Sequence, residues 1–134
     1  MLGSATCEPL REGGRMSDPQ LAAKLFRGFG DVSRLRVLEA LRDGPQCVGA
    51  IVERTGLTQP SVSMHLACLA ECGLVTRERR GKFMDYAIAD KRVVGVLDGV
   101  DELLLQVGPL IAACPRYRES ARRGKTIAGK RRTR

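Results

Sequence analysis

At 134 residues the chain offers one domain's worth of protein, and 43% apolar with 28% charged residues is ordinary for a globular fold. Aromatic residues make up only 4% and Trp is absent, so Leu, Val, Ile and Ala must build the core, which disfavours a β-sandwich and favours packed helices. The net charge of +8 resides at the chain's end, where Arg116 to Arg134 carry nine Lys and Arg against Glu119 alone; a basic tail, not a basic domain, sets the pI.

In chain order, residues 1–18 are polar and read as a leader, 19–113 as the folded domain and 114–134 as the basic tail. From Pro19 to Phe29, Leu21, Leu25 and Phe29 form one stripe of an amphipathic helix. Asp31 and Ser33 are cap residues for a second helix, whose Leu35, Leu38 and Leu41 stripe ends near Gly44-Pro45. A short helix is expected over Val48–Thr55, stopped by Gly56. Thr58 then caps another, with Pro60 in its first turn, where a missing N–H costs nothing. That helix runs to about Cys72, with Gly73 following it. Two helices joined by a short Gly-containing turn are the helix-turn-helix pattern.

The period then changes. Leu74–Glu78 and Phe83–Ala87 are short extended segments flanking Arg80-Gly81-Lys82, a hairpin with glycine at its tip. Arg77, Arg79, Arg80 and Lys82 make it a cationic wing suited to a phosphate backbone, a solvated surface being the plain alternative. A last helix begins near Asp90. Its Val93, Leu97, Val100, Leu104, Val107 and Ile111 advance in steps of four and three, a heptad seam that Pro109 should kink or interrupt. A seam this long exceeds what one small domain needs, so a homodimer interface shared with Leu21 and Leu25 is expected. The fold class is mainly α with a small β-hairpin wing: a homodimeric winged helix-turn-helix.

The second helix of the motif points Val62, Leu66 and Leu69 into the core, leaving Gln59, Pro60, Ser63 and Met64 outward near its N-terminus, where recognition helices meet base edges. Gln59 can pair with adenine, Ser63 with a base or phosphate, and Thr58 and Ser61 stand at the helix start. His65, the one His in the chain, reads as a packing residue or phosphate contact. Double-stranded operator DNA is the expected partner.

Five cysteines is an odd number in a chain whose first 16 residues lack the apolar stretch of a secretory signal. No apolar run approaches the ~20 residues of a membrane span, so a cytoplasmic protein with free thiols is expected. Cys68 and Cys72 lie four apart, so both thiols share one helix stripe and can reach one ion. Cys114, placed beyond Pro109 on a flexible segment, can supply a third donor. Three thiolates suit Cd(II), Pb(II), Hg(II) or As(III) and not Mg or Ca, while small buried hydrophobes are the competing reading of the same cysteines.

The run Asp31-Val-Ser-Arg-Leu-Arg-Val-Leu38, then Gly56-Leu-Thr-Gln-Pro-Ser-Val-Ser-Met-His-Leu66, Leu69 and Gly73-Leu-Val75, resembles the ArsR/SmtB family of metal-sensing bacterial repressors. The similarity spans roughly residues 20–110 and implies a dimer that releases a palindromic operator when metal binds. The stretch Leu66-Ala-Cys-Leu-Ala-Glu-Cys-Gly-Leu-Val75 is similar to the cadmium- and lead-sensing branch, which pairs two recognition-helix cysteines with a C-terminal one. The resemblance thus assigns Cys68, Cys72 and Cys114 to Cd(II) or Pb(II), with Hg(II) or As(III) as alternatives. A second family site carries Cys-Val-Cys before the turn. Here Cys47-Val48-Gly49 lacks the second thiol, leaving Cys47 and Cys7 as an accessory pair. The zinc and nickel members use Asp and His on the last helix, which here offers Asp98, Asp101 and Glu102 without His. A redox switch at the same thiols is the nearest rival. A thiol enzyme or metal-storage protein is disfavoured by the lack of Cys-X-X-Cys, a P-loop or a dinucleotide loop, so a non-enzymatic protein is expected.

Overall fold

The computed structural model describes residues 18–118. Cys7, with the rest of residues 1–17, and the tail beyond Arg118 lie outside them. The order is α1 (Pro19–Phe29), α2 (Val32–Ala40), β1 (Gln46–Cys47), α3 (Val48–Thr55), α4 (Gln59–Glu71), β2 (Val75–Arg80), β3 (Phe83–Ile88) and α5 (Lys91–Ala113), followed by a 3₁₀ turn at Pro115–Arg118. Two compact units divide between Ala89 and Asp90.

Helix starts follow side-chain chemistry. The Asp18 carboxylate accepts from the backbone N–H groups of Gln20 (3.0 Å) and Leu21 (3.2 Å), and Asp31 accepts from Arg34 N–H at 2.9 Å. Each cap satisfies donors that no helical carbonyl can reach. The core of the first unit is aliphatic: Val37, Leu38, Ile51, Val62 and Leu66 are fully buried, with Leu41, Leu69 and Val75 nearly so. In α2 the buried side is Val37, Leu38, Ala40 and Leu41, while Leu35 is left at the surface. The expected stripe was thus rotated towards Val37.

The sheet has the order β1-β3-β2, both pairings antiparallel. β1 is a two-residue strand that sequence reading passed over. It pairs Gln46 with Tyr86 and Cys47 with Asp85, anchoring the hairpin's second strand to the start of α3. A segment that short has no period to detect.

In the second unit, Asp90 caps α5 by accepting from Arg92 N–H at 2.8 Å. The helix runs to Ala113 with Pro109 inside it, so the expected interruption does not occur. Cys114 accordingly ends a helix, its N–H donating to the Ile111 carbonyl at 3.1 Å, rather than sitting on a flexible segment past a break. Val93 and Leu97 of the seam are buried. Val100, Leu103, Leu104, Leu105, Leu110 and Ile111 are exposed, as are Leu21, Leu25 and Phe26 on α1. No helix among the described residues is long and apolar enough to cross a membrane.

Candidate nucleic-acid interface and thiol pair

The turn between α3 and α4 is held by its own short-range bonds. Gly56 adopts φ 73°, a left-handed conformation that favours glycine, and its N–H reaches the Val52 carbonyl at 2.9 Å. Thr55 Oγ1 donates to the Ile51 carbonyl (2.7 Å) and accepts from Leu57 N–H (3.2 Å). Thr58 Oγ1 accepts from Ser61 N–H at 3.3 Å, capping α4. Four consecutive residues, Thr55 to Thr58, therefore contribute to the angle between the two helices through glycine geometry, hydroxyl bonds or a cap.

α4 is oriented by burial of Val62, Leu66 and Leu69 along one side. The opposite side exposes Gln59, Pro60, Ser63, Met64 and Ala67, with Ser61 and His65 half-buried between. The structure therefore brings Thr58, Gln59, Ser63 and Met64 to one surface near the N-terminus of α4.

Across the β2–β3 ladder, Arg77 faces Tyr86, Arg79 faces Met84 and Arg80 faces Phe83. Because side chains alternate along a strand, Arg77 and Arg79 share one face and Arg80 the other. Gly81 makes the tip with φ 62°. Arg77, Arg79, Arg80 and Lys82 are all exposed. Arg80 is committed in part to Asp85, at 3.3 Å. Sequence reading passed over Phe83, a large aromatic exposed beside the tip. Its only signal was an apolar residue directly after a turn, a position that alternation alone assigns to neither face.

Cys68 is half-buried and Cys72 exposed, both as free thiols. One turn separates them, and the Cys72 N–H donates to the Cys68 carbonyl at 3.1 Å as α4 closes. Regular helix geometry thus keeps the two side chains on neighbouring turns of one stripe. Cys47 is half-buried at the start of α3, and Cys114 half-buried at the end of α5. Asp98, Asp101 and Glu102 lie exposed on α5. Among the described residues no three His, Cys, Asp or Glu side chains are grouped to hold an ion.

A three-helix core presenting α4, followed by a cationic antiparallel hairpin, defines a winged helix-turn-helix DNA-binding protein. Residues 31–77 match the family model described as "Bacterial regulatory protein, arsR family". The chain is 39% identical over 85 residues to the HTH-type transcriptional regulator CmtR of Mycobacterium tuberculosis, covering 63% of this chain and 72% of that one. It is 38% identical over 79 residues to the probable mercury resistance operon repressor of Streptomyces lividans, covering 59% of this chain and 63% of that one. The homodimeric winged helix-turn-helix DNA-binding domain Mb0332 of Mycobacterium bovis, a possible ArsR-family regulator, superposes with a TM-score of 0.57. That match has 28% identity and covers 67% of this chain and 88% of that one. The chain belongs to the ArsR family of bacterial transcriptional regulators.

Proposed function

We propose that the protein is a homodimeric repressor that holds operator DNA when metal-free and releases it on binding a soft, thiophilic ion, with Cd(II) or Pb(II) as effector. One observation carries the reading: two free thiols, Cys68 and Cys72, stand on the same helix that presents the DNA-reading surface. Occupying them is therefore coupled to the position and mobility of that surface.

The residues divide the work. Gln59, Ser63 and Met64 meet base edges, while Thr58, Ser61 and His65 serve the helix start and nearby phosphates. Arg77, Arg79, Arg80 and Lys82 lie along the backbone. Cys68 and Cys72 donate two thiolates, and Cys114 from the second unit donates the third. Thiolate donors favour soft ions over Mg or Ca. Binding the ion restrains α4 in a state that no longer fits the groove. The exposed apolar residues of α1 and α5, Leu21, Leu25, Val100, Leu104 and Ile111 among them, cover one another in the dimer. Val93 and Leu97, also on the seam, are already buried within the protomer. Cys47 and Cys7 remain an accessory pair.

Hg(II) is the second reading, favoured by the likeness to the Streptomyces lividans repressor. The test is operator binding by the reduced protein, followed by fluorescence anisotropy with each ion. Saturating Cd(II) or Pb(II) is expected to weaken binding about 5- to 150-fold, the usual span of allosteric coupling. Release by Hg(II) alone selects the second reading. Unchanged affinity with all three ions contradicts metal sensing, and release by peroxide in metal-free buffer selects a redox switch.

A further inference from the structure

The outward face of α4 is short of cations. Across all thirteen residues from Gln59 to Glu71 there is no Lys and no Arg. Burial of Val62, Leu66 and Leu69 fixes which side faces outward, leaving Gln59, Pro60, Ser63, Met64 and Ala67 along the first nine residues and Glu71 at the far end of the helix. Three of the first five are apolar, and Met64 is 62% exposed. The cations of this region lie on the hairpin, beyond the end of the helix.

Base chemistry turns that inventory into a specificity. Guanine is read in the major groove chiefly by an Arg or Lys forked onto O6 and N7, and α4 has neither to offer. Adenine is read by a Gln amide, which Gln59 supplies. Thymine is distinguished by its 5-methyl group, which needs an apolar partner and no hydrogen bond. A flexible, polarizable Met side chain standing in water is well suited to that methyl.

Resting on the operator-binding reading above, we infer that α4 reads A·T pairs through the thymine methyl, with Met64 as the methyl contact and Gln59 as the adenine contact, and makes no guanine-specific contact. Met64 is then a specificity-determining residue. It buries more apolar surface against a thymine methyl than against cytosine, whose C5 carries hydrogen, so the same helix favours thymine. Sequence-independent affinity comes from the wing.

The experiment begins by selecting half-sites from a randomised duplex library with the full-chain, reduced, metal-free protein. In the selected duplex, each thymine of the half-site is then replaced by uracil and each guanine by 7-deazaguanine, one position at a time. Uracil removes only the methyl group, and 7-deazaguanine removes only the N7 acceptor. Loss of one buried methyl contact corresponds to about a four-fold loss of affinity. The expected result is such a loss at a thymine of each half-site, absent in Met64→Ala, with 7-deazaguanine neutral throughout the base pairs facing α4. Met64 is exposed, so the variant retains the fold, checked by its unfolding midpoint. A ten-fold loss on 7-deazaguanine substitution, or no loss at any uracil, overturns the inference. Uracil losses that persist undiminished in Met64→Ala overturn the assignment to Met64. If no duplex sequence is enriched at all, the operator-binding reading itself fails, and this inference with it.

Discussion

α4 and the β2–β3 hairpin are neighbours in the chain but are held in place by different physics. The helix buries Val62, Leu66 and Leu69 in the core and carries no Lys or Arg. In β2 and β3 only Val75 is buried, and four cations crowd the tip. The wing's geometry comes instead from the backbone ladder, with β1 pairing its inner strand. The Arg80–Asp85 ion pair, with the Arg side chain 81% exposed, adds little to that. The candidate base-reading face thus sits on a helix pinned by packing, and the charge sits where the backbone alone sets position.

The contrast breaks first, and hardest, in the core. Leu66→Ala deletes a fully buried side chain and should cost about 2–5 kcal/mol, read as a drop in the urea midpoint. Operator binding should fall with it, since α4 loses its seat. Arg79→Ala should do the reverse, leaving the urea midpoint unchanged. Its signature is a binding slope against log salt lowered by about 1, with equal weakening on every duplex. A sequence-dependent effect of Arg79→Ala would erase the division between the two regions.

A smaller effect sharpens it. Thr58→Ala removes the side-chain acceptor for Ser61 N–H and should cost about 1 kcal/mol, measured by thermal unfolding. The smallest concerns α5, where nothing buries the cap. Hydrogen bonds from the Arg92 side chain and backbone hold the exposed Asp90 carboxyl down at about 2, against an ordinary 3.8. Its folded-state value is depressed, so its contribution is complete above the ordinary value and disappears as pH falls through about 2. Helicity measured across that acid range should decline less steeply in Asp90→Asn than in the native chain.

Much of this was legible in the sequence because it depends on local chemistry. The starts of α2, α4 and α5 lie at Asp31, Thr58 and Asp90, short side chains that serve as caps without tertiary help, whereas Asp18, assigned to the leader, proves to cap α1. The outward face of α4 followed from helical spacing once its apolar stripe was found. Three features were hidden for the opposite reason. β1 is two residues long and exists only through a partner some forty residues away. Pro109 is carried within α5, although its local preference is to interrupt a helix. The exposure of Phe83 depends on where the sheet ends. The candidate metal site divides in the same way. Cys68 and Cys72 are one helical turn apart and can be paired from spacing, whereas Cys114 stands in another unit, where spacing gives no distance.

If one helix both reads DNA and carries two of the effector ligands, thermodynamic linkage joins metal binding to operator binding. If metal weakens operator binding by some factor, operator must weaken metal binding by the same factor. Cd(II) affinity should be measured from thiolate-to-metal absorption in reduced protein, with and without saturating operator duplex. The account predicts tighter binding to free protein than to the DNA complex, by the factor seen in operator release, and a collapse of the absorption in Cys68→Ser and Cys72→Ser. Equal Cd(II) affinity in both states, or absorption unchanged in those variants, would contradict it.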